Sequence, residues 1–154
     1  MIPANRLVAR VAITALIAVS TPSMAHVTVS PKQSSPGAWE TYEIRLPNEK
    51  TVATTALEVR FPADLQVKSF EDKPGWTIEP LRDSSGAITG ARWTGQLAPE
   101  RFVELGIIAV NPKAGSELTF SATQSFADGS IVSWTGPAGS ATPAPRVILK
   151  PASH

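Results

Sequence analysis

Trp39-Glu40-Thr41-Tyr42-Glu43-Ile44-Arg45-Leu46-Pro47 is the stretch from which the fold is read. Tyr42, Ile44 and Leu46 fall on one face of an extended chain and Glu43 and Arg45 on the other, the two-residue period of a half-buried β-strand. The alternation returns at Ala56–Phe61, where Leu57, Val59 and Phe61 oppose Glu58 and Arg60. Further strands are predicted at His26–Ser30, Leu65–Phe70, Trp76–Glu79, Ile88–Thr94, Phe102–Val110, Glu117–Phe126, Ser130–Trp134 and Arg146–Lys150. Asp128-Gly129 between two apolar runs is a strong hairpin signal, and Ser84-Ser85-Gly86 a weaker one. Helical periods are absent beyond the N-terminal segment, and the 14 prolines oppose long helices, because proline removes a donor and clashes with the preceding turn. Short strands at this spacing predict an all-β, two-sheet antiparallel β-sandwich. Gly136–Pro145 reads as a long connection before the last strand, and Pro151–His154 as a frayed end.

The segment Met1–Ala25 has a different character. Arg6 and Arg10 precede the apolar run Val11–Val19, and Ser23-Met24-Ala25 places small residues three and one before a cut. That layout predicts a signal peptide over residues 1–25, with an apolar run too short for a permanent membrane helix. Residues 26–154 are then a single domain, sent to the periplasm or secreted. Cleavage there makes His26 the first residue. A histidine in that place offers both its α-amine and imidazole Nδ1, which together close one chelate ring on a metal.

Composition narrows the chemistry. The 14 Lys and Arg nearly balance the 13 Asp and Glu, and two of the arginines lie in the leader. Neither a nucleic-acid footprint nor a polybasic membrane patch is present, and no second long apolar stretch follows the leader. Without cysteine there is no disulfide framework and no thioester lipid anchor on cysteine. Both methionines, Met1 and Met24, fall in the leader, and the two histidines are His26 and His154. A metal site beyond the leader must therefore use nitrogen and oxygen, which excludes soft-ligand Cu(I), thiolate zinc and blue-copper centres.

Each candidate residue has a plain reading beside the functional one. His26 can follow a leader by chance, but α-amines and imidazoles titrate near 8 and 6.5, so both yield a nitrogen to a competing metal near neutral pH. Cu(II) heads the divalent affinity order and favours tetragonal nitrogen and oxygen sites, so it is the ion this pair selects best. Glu40 shares the parity of Tyr42, Ile44 and Leu46, so its carboxylate points towards the core side near the strand entrance. It is either a water-exposed rim residue or a paired or metal-bound carboxylate. Trp134, like Trp39, Trp76 and Trp93, is by default a core residue; it can also present its ring to a cation and exclude water. His154 sits on the frayed end, so a two-histidine site requires that end to fold back. No nucleophile–histidine–acid arrangement and no phosphate-cradling glycine motif is present, so the chain is not read as an enzyme.

Taken in order, four motifs carry a likeness. They are His26-Val27-Thr28-Val29-Ser30-Pro31; Gly37–Tyr42 with Leu46-Pro47-Asn48-Glu49-Lys50; Pro74-Gly75-Trp76; and Asp128–Gly136. As a set, spanning His26 to about Pro145, they resemble the YcnI-like family of exported bacterial copper-binding domains. The resemblance implies a sandwich of the immunoglobulin or cupredoxin-like type holding one Cu(II) in a one-histidine brace. The brace falls on His26, the acidic ligand on Glu40 with Glu49 in reserve, and the neighbouring tryptophan on Trp134. Some relatives carry a C-terminal membrane helix, and no such segment is found here. The expected function is copper capture, delivery or buffering, with the copper ion and another exported copper protein as partners. The rival readings are a metal-free interaction or chaperone-like sandwich, and a copper redox enzyme that would need His154.

Overall fold

The structure, a computed structural model, describes residues 25–153. Of the expected leader only Ala25 falls within that range, and His154 lies outside it. The alternation that opened the analysis becomes β3 (Trp39–Asn48), which pairs antiparallel with β8 (Arg101–Val110) from Trp39↔Val110 to Asn48↔Arg101. On the inner face Tyr42, Ile44 and Leu46 are fully buried beside Leu105, Ile107 and Ala109 of the partner strand. β1 (Thr28–Ser30) adds to the free side of β3 and β5 (Gln66–Phe70) to that of β8, giving a four-stranded sheet in the order β1-β3-β8-β5.

The opposing sheet is built from β4 (Thr54–Arg60), β6 (Thr77–Arg82), β7 (Ile88–Leu97), β10 (Ser121–Phe126) and β11 (Ile131–Trp134), in the order β11-β10-β4-β7-β6. Leu57, Val59, Ala91 and Trp93 face the first sheet and close the core. Each large apolar side chain buried there contributes roughly 1.5–3 kcal/mol. A small third sheet joins β2 (Gln33–Ser34), β12 (Arg146–Leu149) and β9 (Glu117–Thr119). No helix occurs among the described residues. The all-β sandwich is as expected from the sequence.

Three details differ from the expectation. The single strand foreseen over Glu117–Phe126 is two, β9 and β10, in different sheets. Phe120 lies between them, fully buried, with edge contacts to Tyr42 and Phe61 and its N–H bonded to the carbonyl of Pro145. The chain changes sheet there because that ring fills the space between the layers. β2, two residues long and parallel to β12, was not foreseen, since two residues carry no period. Trp39, read as core, is 67% exposed. It shares the outward parity of Thr41, Glu43 and Arg45, and that parity overrides the burial usual for tryptophan.

Candidate metal centre

His26 lies two residues ahead of β1. Val27 and Val29 are buried and pin this edge strand to the core, while His26 is left half-buried. The register Thr28↔Arg45, Val29↔Ile44 runs the preceding chain towards Pro47, at the far end of β3. Trp134 closes β11 in the opposite sheet and is 3% exposed. The two rings meet across the open side of the sandwich, with centroids 5.6 Å apart and planes at 54°.

Beside this pair is a cavity of about 50 Å³ whose walls include Ala25, Pro47, Glu49, Lys50, Gln124 and Trp134. The turn that brings Glu49 there is shaped by buried Asn48. Its side-chain oxygen accepts the Lys50 N–H at 3.0 Å, and its amide donates to the carbonyls of Val52 and Leu97, both at 2.9 Å. Lys50 Nζ donates to Ser130 Oγ at 2.9 Å and lies over the Phe126 ring, 4.2 Å from its centre. Ser130 Oγ in turn donates to Asp128 at 2.6 Å. The ammonium is thereby held on the β10–β11 hairpin, and its tether fixes the loop that carries Glu49.

Trp134 has a fixed orientation. Its Nε1–H donates to Gln124 Oε1 at 3.2 Å, and Gln124 Nε2 donates to the carbonyl of Pro47 at 2.9 Å and to Thr54 Oγ1 at 2.8 Å. Gln124 was missed from the sequence. The signal was present, because Ala122, Gln124 and Phe126 share the inward parity of β10, where a lone amide among apolar residues needs a reason.

Glu40 is not brought to His26. It is the second residue of β3, whereas the chain ahead of β1 approaches the other end, seven residues on, a span of roughly 20–25 Å. Its carboxylate accepts the hydroxyl of Ser34 at 2.8 Å, and Ser34 belongs to a chain with Asn111 and Tyr42. It is half-buried at the rim of the opposite end, and its partner is a hydroxyl. Of the two carboxylates weighed, Glu49 shares a cavity with Trp134.

The donors can be tested against a metal. Among the described residues no group of three His, Cys, Asp or Glu side chains could hold an ion. One imidazole and one carboxylate leave a site short of donors, and the nearest further nitrogen is the main-chain nitrogen of His26, an amide while Ala25 precedes it. With that nitrogen an amine, the donor types are two nitrogens and an oxygen, which suit Cu(II) by their chemistry. The cavity, about 50 Å³, is large enough to admit a water-sized occupant. A larger hollow of about 610 Å³, bounded by 61–68 and 82–89, holds none of the expected site residues.

Comparison with known proteins gives the chain's family. Residues 26–153 match the family described as Domain of unknown function (DUF1775). The Copper-binding protein CutI of Bacillus subtilis (strain 168) is 35% identical over 130 residues, 83% of this chain and 64% of that protein. The chain therefore spans just under two thirds of that relative's length. Among solved structures, an uncharacterized protein from Nocardia farcinica, described as having an immunoglobulin-like fold, matches with a TM-score of 0.69 and 28% identity. That match covers 80% of this chain and 97% of the other. The sixth cohesin of scaffoldin B from Acetivibrio cellulolyticus matches with a TM-score of 0.51 at 13% identity, covering 81% of this chain and 98% of the other, a likeness of fold alone.

Proposed function

The chain belongs to the DUF1775 family, the YcnI-like family its motifs resemble, and from that membership we propose that it is an exported protein that binds one copper ion without being an enzyme. In this reading cleavage after Ala25 frees the His26 amine. The amine and imidazole chelate Cu(II), Glu49 supplies an oxygen, and Trp134 walls the ion off from water. The observation that carries the proposal is the meeting of the His26 and Trp134 rings, with centroids 5.6 Å apart, beside a cavity that Trp134 and Glu49 line. The name of the CutI relative supports copper as the cargo. The absence of sulfur beyond the leader gives the cargo a direction. Nitrogen and oxygen donors hold Cu(I) poorly, so one-electron reduction by an external donor would loosen the ion towards an exported acceptor.

The test is a Cu(II) titration of a chain starting at His26 and of one carrying a single extra residue before it. The first should bind one ion, with nitrogen hyperfine structure in electron paramagnetic resonance, and the second should bind more weakly by an order of magnitude or more. Equal affinity would overturn the proposal. Mass spectrometry of the exported protein checks the cut itself.

A further inference from the structure

We infer that Gln124 is the positioning residue of this site: its buried carboxamide sets the Trp134 ring against His26 and ties that ring to the end of β3. The copper arm of the inference rests on the proposed function; the geometry does not. A glutamine side chain has one acceptor oxygen and two N–H donors. Here the oxygen takes the indole N–H at 3.2 Å, and the amide nitrogen reaches the Pro47 carbonyl at 2.9 Å and Thr54 Oγ1 at 2.8 Å. Gln124 is 2% exposed, and the other inward residues of its strand, Ala122 and Phe126, are apolar. An amide in such a place costs stability unless every bond is made, and a fully bonded one fixes a single arrangement of its partners.

Those partners come from three places. Trp134 ends β11, Thr54 begins β4, and Pro47 lies near the end of β3 in the other sheet. The carboxamide therefore bridges the two sheets at the wall of the cavity that Glu49 and Trp134 share. With its acceptor removed, the indole N–H is orphaned and the ring loses the hydrogen bond that fixes its tilt against the imidazole within the surrounding packing.

The experiment is run first without metal, on the chain starting at His26. The Trp134 ring shifts the His26 imidazole proton resonances, and W134F identifies that shift by abolishing it. Q124M, which keeps the side-chain length and loses the hydrogen bonds, should lose most of the shift while keeping the wild-type circular dichroism. Q124E, which retains the acceptor for the indole, should restore part of it. With Cu(II) added, the electron paramagnetic resonance spectrum of Q124M should move towards that of W134F. A folded Q124M with wild-type His26 resonances would overturn the inference. Should Q124M fail to fold, T54V removes one of the two acceptors of the amide nitrogen: partial loss of the shift supports the inference, and unchanged resonances overturn it. Wild-type protein that binds no copper would defeat the proposed function alone, because the metal-free resonances still judge Gln124.

Discussion

Glu40 lies near the start of β3 and Glu49 just past its end, and the two answer to different neighbours. Glu49 lines the cavity beside Trp134 and is proposed as a ligand, so E49Q should weaken Cu(II) binding by at least the roughly 10- to 100-fold that loss of a group merely bonded to a ligand costs. Competitive titration measures it. Glu40 accepts a hydroxyl from Ser34 in a half-buried setting, so E40Q should lower unfolding free energy by about 1 kcal/mol and leave copper affinity unchanged. The opposite pattern would return the ligand role to Glu40. Trp39 and Trp134 make the same point about aromatic residues. One is exposed and the other buried because one lies on the outer parity of its strand and the other closes an edge strand against the opposite sheet.

Within the elements, the residue leading into β6 makes a close approach to β7 at a glycine. The Trp76 indole lies over Gly95, where a Cβ would come within 2.5 Å of the ring. G95A should therefore cost about 1–3 kcal/mol, read from the denaturant midpoint, by forcing that ring outward. The β10–β11 hairpin carries a pH dependence. The hydroxyl and the N–H of Ser130 bond the Asp128 carboxylate and hold its pKa below the usual range, with Lys50 adding a smaller pull. For an acid whose folded pKa is depressed, the stabilisation is present above the unfolded value near 4 and is lost as pH falls through the lower folded value. The stability gap between wild type and D128N should narrow across that acid range and stay constant above it. On the outer face of the first sheet the sign reverses. Glu43 is raised by desolvation and then by the charges of Glu71 and Glu104. Its ionised form is disfavoured by folding, so E43Q should raise stability at neutral pH by a few tenths of a kcal/mol.

For the whole molecule, copper bound to the folded state alone must raise its stability by mass action. At Cu(II) one hundred times its dissociation constant the gain is about 2.7 kcal/mol, or roughly 10 °C in Tm for a domain of this size. Calorimetry should show the rise for a chain starting at His26 and little of it for a chain extended by one residue. The period-two alternation, the Asp128-Gly129 turn and the proline content were enough to specify an all-β sandwich, because strand parity and turn chemistry are local properties. The absence of cysteine, and of methionine after Met24, bounded the metal chemistry in the same direct way. Local pattern did not decide which end of β3 faces His26. That follows from the antiparallel register of β1, which places Glu40 at the far end of β3 and leaves Glu49 beside the cavity that Trp134 lines. Nor did it reveal that Phe120 splits one run between two sheets, or that Gln124 joins Trp134, Pro47 and Thr54. Those facts belong to the tertiary structure, because pairing register and contacts across the core join residues far apart in the chain, whose meeting no short window of sequence encodes.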